Sequence, residues 1–320
     1  MKAYEPVIGL EIHVELKTKT KMFCSSLNDP DEKHPNTNVC PICMGFPGTL
    51  PVINKNAIKE VLKVGLALGG EIPETSWFER KSYFYPDLPK GYQISQYEKP
   101  LISSAKLEIK NEKGEARVIR IRRVHIEEDT GRLIHDMKER ATLVDFNRAG
   151  VPLMELVTEP DLHSSREARI FAQELRLFLR YLKVSDADME KGQLRVEANI
   201  SLSPSANRDS LGTKVEIKNL NSFRSVEMAI DYEIKRMTKL LEQGKEIVQE
   251  TRGWDESRQV TVSQRTKEEA GDYRYFPEPD LPILVLKGKG AHFDLRVLIK
   301  ELPELPWQKR LRLLEEYKIK

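Results

Sequence analysis

The sequence predicts an α+β body built on an antiparallel or mixed sheet, and three observations carry that prediction. Several segments alternate apolar and polar residues with strict period two, the mark of strands with one greasy and one polar face. Three longer segments carry capped, helical periodicity. The two kinds of segment are interspersed without the regular alternation of a doubly wound parallel sheet.

The first strand is expected over Leu10–Leu16, with Leu10, Ile12, Val14 and Leu16 on one face and Glu11, His13 and Glu15 on the other. Asn54 then caps a helix through Ala57, Ile58, Val61, Leu62 and Leu66 that stops at Gly69-Gly70. Ser164-Ser165-Arg166-Glu167 reads as a capping box opening a second helix through Phe171, Leu175, Phe178 and Leu182. Leu194–Leu202 alternates again, with Arg195, Glu197, Asn199 and Ser201 outward. Thr213–Asn219 sets Val215 and Ile217 against Lys214, Glu216 and Lys218. A third helix is expected from about Ser222 to Gly244, with Val226, Ala229, Ile230, Met237 and Leu240 inward. Near His292 the texture changes to short helical stretches, Asp294–Leu305 and Pro306–Lys320. The expected division is therefore a body over 1–292, with a compact insertion at about 23–50, and the beginning of a helical domain over 293–320.

Charge and cysteine usage exclude several classes. The 320 residues carry 52 Lys and Arg against 50 Asp and Glu, a net of only +2, which excludes a strongly basic nucleic-acid coat and an acidic tail protein but not a local RNA-binding patch. No apolar run approaches a membrane span, and Glu11 and His13 interrupt the N-terminus before a signal-peptide core could form. Three cysteines are an odd number, which argues against a disulfide framework and for a reducing compartment, so a cytoplasmic location is expected. The chain ends inside a charged helical pattern without a stop signal, as a truncated polypeptide would.

The polar faces suggest chemistry. Residues two apart on a strand lie about 6.6 Å apart on one face, so their side chains converge on a single ion. Glu11, His13 and Glu15, then Arg195 and Glu197, then Lys214, Glu216 and Lys218 mix carboxylates with cations, as a Mg²⁺–phosphate site requires. A solvated sheet face has the same pattern. His125-Ile126-Glu127-Glu128-Asp129 packs four metal-capable side chains into five positions, and Glu155 stands in an apolar strand after a Gly-x-Pro turn, where it needs a metal or an ion pair with Arg148. Neither a P-loop nor a Gly-rich dinucleotide fingerprint is present.

The stretch Val144-Asp145-Phe146-Asn147-Arg148-x-Gly150-x-Pro152-Leu153-Met154-Glu155-Leu156 resembles the signature of the GatB family, whose members belong to tRNA-dependent aspartyl/glutamyl amidotransferases. Val7–Leu16, Tyr83–Asp87 with Gln93–Gln96, Asn199–Leu202, Lys218–Ser222 and Asp272–Asp280 resemble the family in the same order, so the likeness covers essentially the whole chain. The resemblance implies an antiparallel-sheet cradle similar to that of glutamine synthetase and the guanido kinases. It implies a carbon–nitrogen ligase with glutamine as nitrogen donor: ATP phosphorylates the side-chain carboxylate of Glu-tRNA(Gln) or Asp-tRNA(Asn), and ammonia displaces the phosphate. It implies the GatA amidase and GatC as partners in a heterotrimer, with mischarged tRNA as substrate. Carried over by motif position, Glu11, His13, Glu128 and Glu155 become the catalytic Mg²⁺ ligands, with Glu197 nearby where the family often has Asp. Arg195, Lys214 and Lys218 are candidates for the ATP phosphates on strand position alone.

Cys24, Cys40 and Cys43 form Cys-x15-Cys-x2-Cys, and Cys40-Pro41-Ile42-Cys43-Met44-Gly45 has the form of a zinc knuckle. Many relatives carry a fourth ligand where this chain has Ser26, so His34, water or a backbone group is left to complete the site. Three reduced, buried cysteines without metal are the plain alternative. The aromatic loops Tyr83-Phe84-Tyr85 and Tyr273-Arg274-Tyr275-Phe276 either stack the unpaired 3′ end of tRNA or plug the core edge. Arg117, Arg120, Arg122 and Arg123 form either a phosphate patch or a solvated edge strand. The rival to a catalytic reading is a non-catalytic, zinc-containing tRNA-binding scaffold.

Overall fold

The computed structural model describes residues 4–136, 138–204, 211–266 and 273–318, so Asp272 and residues 319–320 of the expected last helix lie outside it. Strand β1 (Tyr4–Glu15) forms at the first alternating segment and buries Leu10, Ile12 and Val14. Helix α1 (Lys55–Ala67) starts where expected, with the Asn54 side chain accepting from the Asn56 and Ala57 N–H groups. Between the first two helices come β2 (Thr75–Ser76), β3 (Glu79–Ser82), β4 (Tyr92–Ser95), β5 (Ile102–Lys110), β6 (Ala116–Glu128), β7 (Arg132–Asp136), β8 (Ala141–Asp145) and β9 (Pro152–Thr158). Helix α2 (Ser165–Leu182) has Ser164 accepting from the Glu167 N–H, while the Glu167 carboxylate accepts from the His163 N–H, one residue earlier than in a regular capping box.

Strands β10 (Leu194–Pro204) and β11 (Val215–Leu220) match the other two alternating segments, and α3 (Phe223–Glu242) follows its Ser222 cap. In α3 Leu240 is only half-buried, whereas Glu233 is fully buried and held by Arg236 and Thr261. Strands β12 (Glu250–Asp255), β13 (Val260–Thr266), β14 (Phe276–Pro277) and β15 (Leu284–Val285) lead into short helices α4 (Leu295–Lys300) and α5 (Pro306–Tyr317). The last helix packs back onto the body, with Trp307 stacked 5.6 Å from Phe178 of α2.

Eight strands form the main sheet in the order β13-β12-β11-β10-β1-β9-β6-β5. Every pairing is antiparallel except β11 with β12, so the sheet is mixed and the class α+β. The first strand of the chain lies in the middle, between partners laid down much later. Its apolar face joins Phe171, Leu175 and Phe178 of α2 and Val226, Ala229 and Ile230 of α3 in one core. Burying each of the larger apolar side chains contributes roughly 1.5–3 kcal/mol, which fixes the face that turns inward and leaves the polar rows on the other. A small sheet, β14-β3-β4, borders the end of β6. Among the described residues no helix is long and apolar enough to cross a membrane.

Candidate functional site

Antiparallel pairing places directly opposed residues on the same face of a sheet, close enough for their side chains to meet. His13 on β1 stands opposite Glu155 on β9 and Arg195 on β10, and Glu155 stands opposite His125 on β6. The register thus builds a row, Arg195–His13–Glu155–His125, across four strands. Two residues along β1, Glu11 faces Glu197, and two residues the other way Glu15 and Glu127 flank Leu153.

Glu155 is the centre of this face. Its Oε2 lies 3.4 Å from both His13 Nε2 and His125 Nε2, and its Oε1 lies 3.5 Å from Arg123 Nη2. Three overlapping groups, Glu11/His13/Glu155, His125/Glu127/Glu155 and Glu11/Glu197/Glu216, each bring their ligand atoms within 4.8 Å of one another. Because Glu11 and Glu155 are shared, the groups form one continuous strip. Ser95 Oγ donates to Glu127 Oε2 at 2.9 Å and orients it, while His125 Nδ1 is buried without a hydrogen-bond partner among the described residues.

Burial opposes charge throughout, so neighbours decide each protonation state. Burial alone would raise Glu155, but the charges and hydrogen bonds of His125 and His13 hold it well below its ordinary value. Burial would likewise lower His125, yet Glu155 and Glu127 push it up to about 9. His13 is raised in the same way, through its hydrogen bond to Glu155. Glu11 is pushed up to about 7 by burial and then by the charge of Glu155. Beside the row, Arg195 Nη2 donates to Asp129 Oδ2 at 2.8 Å. Burial and the Asp129 charge push Glu15 up to about 8.

Glu11, His13, Glu155 and Glu197 therefore come together as expected from the sequence. Glu128 does not. It points to the opposite face of β6 from His125 and Glu127, where its carboxylate accepts from Lys90 Nζ at 2.6 Å and from the Ile94 N–H at 3.0 Å. Two residues that the motif carry-over missed, His125 and Glu127, take its place beside Glu155. The signal for them was present, since Val124 and Ile126 alternate with them as core residues. Glu216 joins from β11. The alternative partner Arg148 is also not at Glu155; it donates to the Thr130 and Gly131 carbonyls, and Arg123 supplies the cation instead. Of the three expected phosphate contacts, Arg195 is bonded to Asp129, Lys218 donates to Glu197 Oε2 at 2.7 Å, and Lys214 is exposed just ahead of β11.

The second candidate centre is the thiol group. Cys24, Cys40 and Cys43 place their sulfurs within 4.8 Å of one another. His34 is excluded from it, because its side chain is 85% exposed and Nδ1 lies 2.8 Å from Glu32 Oε1. Ser26 Oγ and Lys21 Nζ each lie 3.9 Å from Cys43 Sγ. A hydrogen bond from Cys24 holds the Cys43 thiol down to about 5 against the effect of burial, with Lys21 assisting. The knuckle turn needs Gly45: its φ is +68°, and a Cβ there would come 2.6 Å from Lys90 Cγ. A cavity of about 80 Å³ is lined by Cys24 and Cys43 together with Phe23, Ile42, Lys90 and Glu128.

The arginine run is neutralised within the protein. Arg117 lies near Glu167, Arg120 pairs with Asp161, Arg122 pairs with Glu159, and Arg123 turns to Glu155. The aromatic loops do not simply plug the core: Phe84 is 87% exposed, and Tyr275 stacks on Tyr97 with centroids 4.7 Å apart.

The sequence has relatives at more than half identity. The chain is 53% identical over 314 residues to the B subunit of the aspartyl/glutamyl-tRNA(Asn/Gln) amidotransferase from Caldicellulosiruptor saccharolyticus, covering 98% of this chain and 64% of that protein. Proteins of the same name from Persephonella marina and Thermotoga maritima are 55% and 54% identical over 318 and 319 residues, covering 99% and 98% of this chain and 65% of each relative. The chain thus spans slightly less than two thirds of the length of these curated relatives. A family profile described as the GatB/GatE catalytic domain matches residues 6–291, and by that match the chain belongs to this family.

Proposed function

We propose that this chain is the phosphoryl-transfer component of an ATP-dependent amidotransferase that converts Glu-tRNA(Gln), Asp-tRNA(Asn) or both to the amide. The observation that carries the reading is the strip of three overlapping carboxylate–imidazole groups on one rigid sheet face. The family membership and the names of the relatives agree with it. Its mostly antiparallel sheet, with helices packed on the apolar face, suits a cradle like that of glutamine synthetase or the guanido kinases.

The donor set fits a hard cation, because carboxylate oxygens predominate in the three groups. Glu11, His13 and Glu155, joined by His125 and Glu127 and with Glu197 and Glu216 alongside, would hold it. Magnesium there would offset the charge of the ATP phosphates and of the incoming carboxylate. The protein's own part is positioning. The sheet register holds Glu155 between two rings, and Lys218 and Arg123 place fixed positive charge at the two ends of the strip. A substrate carboxylate oxygen bonds the γ-phosphorus and ADP leaves. Ammonia nitrogen then attacks the acyl carbon, the carbon–oxygen bond to phosphate breaks, and nitrogen loses a proton. GatA would supply the ammonia and GatC would join the other two proteins. The three thiols are proposed to hold a structural zinc that pins the segment around 23–50 to the sheet.

The test is phosphate release from ATP by the assembled heterotrimer, with and without each mischarged tRNA. Stimulation by mischarged tRNA, followed by amide formation, is expected. Bound tRNA without stimulated phosphate release would refute the catalytic reading in favour of a scaffold.

A further inference from the structure

The ligand strip has two chemically different ends. At one end Lys218 sits among Glu197 and Glu216. At the other, past Glu155, the protein gathers aromatic rings and cations. Tyr97 and Tyr275 stack at 4.7 Å with planes 21° apart, and Tyr273 packs against Tyr275 edge-on. The Arg123 guanidinium lies 5.7 Å from the Tyr97 ring centre and also reaches Glu155, and Lys81 Nζ stands 4.6 Å over Tyr273.

These rings are held by polar anchoring more than by core packing. The Glu79 carboxylate accepts from the Tyr97 and Glu98 N–H groups, which fixes the Tyr97 loop. Pairing of β14 with β3 and the two-pronged Arg80–Glu278 bond fix the segment that carries Tyr275. Even so, Tyr97 remains 53% exposed. A rigid, solvent-facing tyrosine stack flanked by cations has the features of a platform for an unpaired base.

Resting on the transamidation reading, the geometry assigns an occupant. In-line phosphoryl transfer places the nucleotide and the acceptor on opposite sides of the phosphorus. With the triphosphate at the Lys218 end, the acceptor carboxylate arrives at the Glu155 end, and the nucleotide esterified to that amino acid passes Tyr97. We propose that Tyr97 and Tyr275, flanked by Arg123, seat the unpaired 3′-terminal nucleobase of the aminoacyl-tRNA. They act as positioning residues.

The test uses the assembled complex and a tRNA transcript with 2-aminopurine in place of its terminal adenine, whose fluorescence is quenched on stacking. Quenching is expected on binding, lost in Tyr97→Leu and retained in Tyr97→Trp. Tyr97→Leu should raise KM for mischarged tRNA about tenfold, equivalent to about 1.4 kcal/mol, and leave KM for ATP unchanged. Unquenched probe on wild type, quenching unchanged in Tyr97→Leu, or Tyr97-dependent quenching of 2-aminopurine riboside triphosphate in its place would each overturn the assignment. Because wild-type amide formation is measured in the same preparation, failure of the platform is separate from failure of the transamidation reading.

Discussion

Replacing Glu155 with Gln removes one charge from the most constrained point of the site without changing its shape. His125 and His13 both lean on that carboxylate at 3.4 Å. His125 is pushed up to about 9 from an ordinary 6.5, so its acidic neighbours, net of the opposing burial, favour the proton by about 3 kcal/mol. The sign follows from linkage. A raised histidine adds stability that is complete below pH 6.5 and lost as pH rises through about 9, while the depressed Glu155 adds stability that is lost only below about pH 4.5. The stability gap between wild type and Glu155→Gln, measured by urea unfolding in chelator, should therefore be widest near pH 5–6.5 and shrink toward pH 9. Proton NMR of the imidazoles should show His125 titrating at least about one unit lower in the variant. In the assembled complex amide formation should fall by about two orders of magnitude or more, as expected for losing a ligand worth several kcal/mol, with glutamine hydrolysis by the partner retained. His125 still titrating near 9, or amide formation at the wild-type rate, would refute the assignment of Glu155 as the hub.

The remaining predictions test neighbouring assignments. Glu128→Gln should leave Mn²⁺ binding, read by electron paramagnetic resonance, unchanged while costing about 3–5 kcal/mol of stability, because it strands the largely buried Lys90 ammonium; lost Mn²⁺ binding would return Glu128 to the ligand set. Glu15 is raised to about 8, so the folded state takes up a proton and stability falls as pH rises from roughly 4.5 to 8. Glu15→Gln should flatten that decline, and parallel pH curves for variant and wild type would contradict the Glu15–Asp129 account. Purified wild type should contain about one zinc per chain, lost in Cys40→Ser and kept in His34→Ala; a fully folded, metal-free wild type would remove the site.

Much of this site was legible in the sequence because strand periodicity is a local property. Alternation over residues 10–16, 194–202 and 213–219 correctly placed Glu11, His13, Glu197 and Glu216 on polar faces, and the Asn54 and Ser164 caps located two helix starts. The Cys-x2-Cys turn brought Cys40 and Cys43 together for the same local reason, and Cys24 joined them. The same alternation, applied strictly to 124–128, separates Glu127 from Glu128; motif likeness alone pointed to the residue that faces away.

What periodicity does not contain is which strands lie side by side, and with what register. That depends on cores buried between segments far apart in the chain. Only the pairing of β1 with β9, and of β9 with β6, puts Glu155 between His13 and His125, and so raises the proton affinity of both rings. Likewise, the arginines at 117, 120 and 122 look free along the chain, and only the fold brings Glu167, Asp161 and Glu159 to them. His34 has zinc-ligand chemistry in the sequence, but the loop turns its ring to Glu32 and solvent. Side-chain chemistry and face are written locally; partners, burial and therefore charge state are set by long-range packing.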